Sequence, residues 1–280
     1  MPSVTLSGAD VRRLLDQHGL TPSRARGQNF VVDPNTVRRI ARLAEVGPGD
    51  RVVEIGAGLG SLTLALAETG ASVMAIEVDA RLMPVLRTVV EPVGVQVVEG
   101  DALRLDWNTL LGGDPWVLVA NLPYNVATPM VADLLDHVPA IRRMLVMVQR
   151  EVAERLAAGA GDEAYGAVSV KVAYWATARV VGRVPPTVFH PVPNVESALV
   201  RIERRAEPVV GADVDREWLF RLVAAGFGQR RKMLRRSLAS LVPAEAFVAA
   251  GVRPDARAEE LSVVEWGRLA ACTSSGRRPS

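Results

Sequence analysis

Four short stretches of the chain carry side chains whose types and spacing suit chemistry on a nucleotide. Gly56-Ala57-Gly58-Leu59-Gly60 is a GxGxG turn behind the apolar run Arg51–Ile55, and its bare backbone lets a ligand approach closely. Its spacing is one residue short of the GxGxxG dinucleotide fingerprint, so by itself it also fits a plain structural turn. Glu77 closes the next apolar run, where an acid can accept hydrogen bonds from both ribose hydroxyls. Asp101, in Gly100-Asp101-Ala102-Leu103, follows the third run; it can accept from an adenine exocyclic amine or cap a helix. These three positions suit an adenosine-containing cofactor. They do not separate a nicotinamide dinucleotide from S-adenosyl-L-methionine.

The fourth stretch, Asn121-Leu122-Pro123-Tyr124-Asn125, does. The lone pair of an adenine N6 is delocalised into the ring and is a poor nucleophile. The Asn121 side-chain oxygen and the Leu122 carbonyl can accept its two hydrogens, drawing the nitrogen toward tetrahedral geometry and stabilising the positive charge that develops on it. Pro123 fixes the turn that presents the carbonyl. Tyr124 offers a face on which an extracted base can stack. A dehydrogenase has no use for this arrangement.

These groups need a scaffold that brings the ends of several strands together. Arg51–Ile55, Ser72–Glu77, Val95–Glu99, Trp116–Asn121 and Met144–Gln149 read as buried parallel strands. Helices are predicted between them at Thr36–Ala44, Ser61–Glu68, Ala80–Val90 and Thr128–Asp136, which implies helices on both faces of a parallel sheet. Glu151–Ala158 reads as a further helix, Ala167–Trp175 as helix or strand, and Ala178–Val184 and Ser197–Glu203 as strands. A composition shift at Glu203–Pro208 places a boundary near residue 207. Beyond it the pattern is helical: Asp215–Phe227, Arg231–Leu241, Pro243–Ala250 and Ser262–Ala271, with the last seven residues expected to be disordered.

Composition is that of a globular chain: of 280 residues, 49% are hydrophobic and 23% charged. Cys272 is the one cysteine, which excludes an intrachain disulfide and suits a reducing compartment. No apolar run approaches a membrane span and the first residues lack a hydrophobic signal core, so a cytoplasmic location is expected. No metal site or Ser-His-Asp set can be assembled around His18, His137 and His190. All but Lys171 and Lys232 of the 33 basic residues are arginine, which suits phosphate, although a codon preference explains it equally. More telling is Arg216–Arg236, where Glu217 is the one acid among seven basic residues, an electrostatic footprint for a polyanion.

Asn121–Asn125 behind a GxGxG loop resembles the ribosomal RNA adenine dimethyltransferase family, specifically its small-subunit (KsgA, or RsmA) branch, and the likeness runs over nearly the whole chain. Gly27-Gln28-Asn29-Phe30 is similar to the family's N-terminal cofactor-covering motif, implying that Asn29 and the Val31 backbone contact the methionine end of the cofactor. Val53–Thr63 is similar to its first motif, with Gly56 and Gly58 against the cofactor. By the same resemblance Glu77, Asp101 and Asn121 fall at the ribose, the adenine, and the methionine moiety or target amine. Phe189–Ser197 matches FxPxPxVxS, making Phe189 the second wall of a base pocket opposite Tyr124. Phe227–Lys232 matches FxxRRK, which with the basic segment marks Arg230, Arg231, Lys232 and Arg235 for RNA. Departures fall at Glu163, Asn194, Glu196 and Arg236, outside the adenine-gripping residues.

The resemblance implies a doubly wound, Rossmann-like class I α/β methyltransferase domain over 1–206 and a smaller all-helical RNA-binding domain over 207–280. It implies methyl transfer from S-adenosyl-L-methionine to two adjacent adenosines near the 3′ end of 16S ribosomal RNA, by a monomer working on the small subunit or its precursor. The competing readings are a resistance-type enzyme of large-subunit RNA, a DNA adenine methyltransferase, and an assembly factor whose binding outweighs its catalysis.

Overall fold

A computed structural model describes residues 5–23, 27–123 and 126–274. Two compact units emerge. One comprises the chain up to Ala153 together with Arg179–Glu203; the other comprises Glu154–Ala178 and the chain from Arg204 onward.

In chain order the first unit contains α1 (Gly8–Gln17), β1 (Phe30–Val31), α2 (Pro34–Ala44), β2 (Arg51–Ile55), α3 (Ser61–Ala67), β3 (Ser72–Glu77), α4 (Met83–Val90), β4 (Gln96–Glu99), α5 (Trp107–Leu111), β5 (Trp116–Asn121), α6 (Ala127–His137) and β6 (Ile141–Gln149). The chain passes to the second unit within α7 (Arg150–Ala157), continues through α8 (Ala167–Trp175) and returns within β7 (Ala176–Val184); β8 (Phe189–His190) and β9 (Ser197–Arg204) follow.

The main sheet runs β4-β3-β2-β5-β6-β9-β7. β2, β3, β4, β5 and β6 pair in parallel, whereas β9 lies antiparallel to β6 with Met144 opposite Ile202. The apolar runs are strands because both faces are covered: β5 buries Trp116 through Ala120 and exposes part of Asn121 alone. Strand order reverses between β2 and β5, so the crevice for a ligand opens at their carboxyl ends. β1 and β8 form a separate antiparallel pair, Val31 opposite Phe189. A core of Ile40, Leu66, Leu86, Val119 and Leu199 holds the helices to the sheet.

Local chemistry sets the helix starts. Asp33 accepts from Thr36 N at 2.9 Å and Pro34 opens α2. Ser7 and Asp10 form a capping box for α1, a helix the periodicity reading passed over although the Ser-x-x-Asp signal stands in the sequence. α5, β1 and β8 were too short to leave a period.

The second unit holds the end of α7, α8, α9 (Arg216–Gly228), α10 (Leu234–Ser237), α11 (Ala244–Ala249) and α12 (Val263–Ser274). Its core joins Tyr165, Val170 and Tyr174 to Leu222, Phe247 and Trp266. The expected boundary near 207 therefore misplaces residues 154–178: their apolar side chains are buried among the C-terminal helices. The shift at 203–208 is a surface segment tied to α8 by Arg205 N to Trp175 O (2.8 Å) and Val209 N to Tyr174 O (3.0 Å). The helix expected over Arg231–Leu241 contracts to α10. Lys232 N closes a turn on Gln229 O at 2.8 Å and Met233 is extended, which interrupts the helical path. α9 and α12 approach closely at Gly226, where a Cβ would lie 2.6 Å from Trp266. Of the tail expected to be disordered, Ser274 ends α12 and the residues after it lie outside the described set.

Candidate active site

At the carboxyl ends of β2, β3 and β5 lies a cleft lined by Asn29, Gly56, Gly58, Glu77, Asn121 and Pro123 among others. The glycine loop has to be glycine. Gly58 and Gly60 sit at φ 61° and 90°, and a Cβ would come within 3.0 Å of Phe30 or 2.6 Å of Val90.

Glu77 is buried, and its two oxygens already accept three backbone amides: Gly58 N at 2.8 Å on Oε2, with Val78 N at 3.0 Å and Asp79 N at 2.9 Å on Oε1. Burial pushes its pKa up, and these amides oppose the shift. A carboxylate offers about four acceptor positions, so Oε2 retains room for one ribose hydroxyl. The sequence expectation of two is corrected accordingly: the second position holds the glycine loop.

Asp79, not singled out from the sequence, anchors the other side of the cleft. Arg81 binds it bidentately at 3.0 and 2.7 Å, and Gln28 Nε2 donates to it at 2.9 Å while Gln28 Oε1 accepts from Ser23 N at 2.8 Å. Gln28 thus fastens the strap bearing Asn29 and Val31 to the end of β3, and α1 packs behind it through Val11, Leu15, Phe30 and Leu59. An acid two residues after a strand-end acid was the signal available.

Asn121 and Asn29 meet. Asn121 Nδ2 donates to the Asn29 carbonyl at 3.1 Å, which leaves Oδ1 as the acceptor toward the cleft. Leu122 N donates to Met147 O at 3.0 Å, and no described backbone amide donates to the Leu122 carbonyl. Pro123 O accepts from Val126 N and Ala127 N at 3.1 and 3.0 Å, the turn that starts α6. Tyr124, the expected stacking face, lies outside the described residues.

Glu54 is the second residue that sequence reasoning missed. It is fully buried in β2 and lines the cleft. Burial pushes its carboxyl up to about 8, Thr63 beside it acting the other way and the Glu77 charge adding to the rise. It is therefore predominantly neutral at pH 7. Its Oε2, with Ser61 Oγ and Thr63 Oγ1, is buried without a partner at hydrogen-bond geometry. Buried orphan acceptors beside a glycine loop fit the polar methionine end of S-adenosyl-L-methionine. The signal was an acid inside an otherwise apolar strand.

Asp101 lines an adjoining, largely apolar recess with Ile76, Val78, Leu103 and Met130, a slot of adenine-like character. Its Oδ1 also accepts from Leu103 N at 3.0 Å and so caps a turn; the helix-cap alternative fails, because the next helix, α5, is capped by Asp106. Phe189 departs from expectation. Pairing of β8 with β1 turns its ring into the core, where it is 2% exposed, and it lines neither the cleft nor the recess. In this structure it supports Val31 from behind and offers no open face to a base. Glu196, one of the departures, lies 3.5 Å from Arg150 in an ion pair.

In the second unit the basic segment divides in two. Arg230 is held by Glu259 and by the Glu163 carbonyl, at 2.8 Å for the latter, and ties the 159–166 loop to the end of α9. Arg231, Lys232 and Arg235 are exposed and form no ion pair with a described carboxylate. Among the described residues no group of three His, Cys, Asp or Glu is placed to hold a metal, and no helix is long and apolar enough to cross a membrane.

Comparison with known proteins adds independent findings. Residues 22–274 match the family model described as ribosomal RNA adenine dimethylase. The chain is 51% identical, over 94% of its length and 93% of the relative's, to ribosomal RNA small subunit methyltransferase A of Cutibacterium acnes. Among solved structures, the 23S rRNA methyltransferase ErmE superposes with TM-score 0.69 at 30% identity, covering 88% of this chain and all of that one. A dimethyladenosine transferase from Plasmodium falciparum gives TM-score 0.74 at 23% identity, over 86% and 95%, a likeness of fold.

Proposed function

The chain belongs to the ribosomal RNA adenine dimethylase family, and from that premise we propose that it methylates N6 of two adjacent adenosines near the 3′ end of 16S ribosomal RNA, yielding N6,N6-dimethyladenosine during small-subunit assembly. Its methyl donor is S-adenosyl-L-methionine, whose sulfonium supplies an already activated methyl group. The main chain of Gly56–Gly60 and the open position on Glu77 Oε2 hold the ribose side. Asp101 and the recess around Met130 take the adenine. Asn29, Val31, Glu54 and Ser61 surround the methionine end.

The observation that carries this reading is the Asn121–Asn29 hydrogen bond. It commits the Asn121 amide nitrogen and leaves the oxygen to accept an N6 hydrogen, beside the Leu122 carbonyl for the other. Two acceptors at one amine stabilise charge that develops in the transition state, an effect worth about 2.7–4 kcal/mol per group in comparable sites. Tyr124 stacks on the base. Positioning dominates, because the amine proton can leave to water after transfer. Arg231, Lys232 and Arg235 grip RNA phosphates and make binding salt-sensitive.

The small-subunit branch is favoured over the large-subunit one by the 51% identity to a small-subunit methyltransferase against 30% to ErmE. We place the reaction in the cytoplasm, on the small subunit or its precursor, with the protein acting as a monomer. The test is methyl transfer from labelled S-adenosyl-L-methionine to unmethylated small-subunit particles, with large-subunit RNA and DNA in parallel and mass analysis of the nucleosides. Dimethyladenosine from small-subunit particles alone is the expected outcome. Label in large-subunit RNA overturns the branch assignment, and particle binding without label overturns the catalytic one.

A further inference from the structure

The end of the first unit's sheet opposite the cleft carries its own concentration of arginine. α2 brings Arg42, β6 opens with Arg142 and Arg143, and β7 brings Arg179 near its start. Hydrogen bonds join α2, β6 and β9 into one face. Arg143 Nη2 donates to the Glu45 carbonyl at 2.9 Å and ties the start of β6 to the end of α2. Arg201, on β9, donates to Leu43 O at 2.5 Å and pairs with Glu45 at 2.7 Å. Arg51 is engaged by Asp114.

The remaining charge is one-sided. Arg42, Arg142 and Arg179 are exposed and form no ion pair with a described carboxylate, although Arg179 contributes to the field that lowers the Glu45 pKa. Six arginines here, Arg42, Arg51, Arg142, Arg143, Arg179 and Arg201, face Glu45, Asp50, Asp114 and Glu203, an excess of two positive charges. The face is also hollowed. Arg51, Arg142 and Arg143, together with Asp50 and Glu203, line a concavity there. Trp116, the aromatic residue of the lining, is buried, so there is no platform for a base to stack on. That combination selects phosphate and not base edges.

We propose that this arginine face binds the phosphodiester backbone of a second RNA segment, separate from the one whose adenosine enters the cleft. The inference rests on the RNA-modifying reading above and extends it: the enzyme holds its particle at two places, and contacts remote from the target adenosine help select folded RNA over short oligonucleotides. Guanidinium forks suit phosphate oxygens bidentately, and contacts to the backbone carry register without sequence.

The test compares the full-length protein with its R42E/R142E/R179E and R42K/R142K/R179K variants. Binding to small-subunit particles and to a short hairpin bearing the target adenosines is followed across a KCl series, alongside S-adenosyl-L-methionine affinity. The glutamate variant is expected to keep cofactor affinity and turnover on saturating hairpin. It should lose at least ~10-fold in particle affinity, with the slope of log K against log salt reduced by about 2–3, one phosphate per arginine at roughly 0.9 each. The lysine variant should stay within about twofold of wild type, since charge is kept. Particle affinity and slope unchanged in the glutamate variant overturn the proposal. So does a parallel loss of cofactor affinity in both variants, which makes the cluster a structural network. If the glutamate variant alone loses cofactor affinity, Arg142→Ser decides by its salt slope: a fall of about one supports the proposal and no fall overturns it. Failure of the RNA-modifying reading is distinguishable, because wild type itself then neither binds nor methylates particles.

Discussion

Replacing Glu77 by alanine separates two roles that the structure gives to one carboxylate. The first is to hold the glycine loop against β3 in the absence of any ligand, through amides of Gly58, Val78 and Asp79. The bonds from Gly58 and Asp79 are buried. A buried donor left without an acceptor costs about 1–3 kcal/mol, so losing two costs about 2–6 kcal/mol. Burial of the carboxylate, which raises its pKa, offsets part of this and favours the lower half of that range. The second role is the bond to a ribose hydroxyl, worth about 1.5–3 kcal/mol, or roughly 10- to 150-fold in cofactor affinity. Urea unfolding of the ligand-free protein reads the first role and calorimetric titration with S-adenosyl-L-methionine reads the second. Glu77→Gln keeps an acceptor for Val78 and Asp79 but brings an amide nitrogen against Gly58 N–H, so it should fall between alanine and wild type in both assays. A ligand-free Glu77→Ala protein as stable as wild type would refute the loop-holding role and reduce Glu77 to a ligand contact.

Other substitutions test the remaining parts. Asn121→Ala should lower the rate of methyl transfer by about 10²–10³ while particle binding persists, and undiminished turnover removes Asn121 from the amine site. Tyr124→Ala should depress turnover more than cofactor affinity; equal activity with wild type removes the stacking role. Glu54 has a folded-state pKa near 8 against an ordinary 4.5, so between those values the folded protein keeps a proton that the unfolded chain releases. Stability associated with this group is full below pH 4.5 and falls as pH rises through 8, by at most ~1.4 kcal/mol per pH unit. Glu54→Gln stays neutral and should flatten the urea midpoint across pH 5–8, whereas parallel curves would show that Glu54 ionises freely. Arg231→Glu with Lys232→Glu should reduce the salt slope of RNA binding by about 2 without changing stability. Arg230→Ala should instead lower stability, because it releases Glu259 and the Glu163 carbonyl.

What the sequence determined by itself is local. Buried parallel strands are near-continuous apolar runs, and β2, β3 and β5 fall where those runs end in Gly56, Glu77 and Asn121. The residues for a cofactor and for an exocyclic amine were legible because each must sit at a strand end, next to a turn that glycine or proline writes into the chain. Tertiary structure decided what depends on partners distant in sequence. Phe189 went into the core because β8 pairs with β1, residues 30–31, far upstream. Residues 154–178 joined the second unit because Tyr165 and Tyr174 find their apolar neighbours beyond residue 218. Arg230 and Arg231 stand side by side in one motif, yet one is locked to Glu259 and the other is exposed. The roles of Glu54 and Asp79 came from burial and from Thr63, Gln28 and Arg81. Periodicity and turn chemistry act over a few residues, whereas burial and electrostatic environment are set by whatever the fold brings alongside, and these decided which candidate side chains are left to meet a ligand.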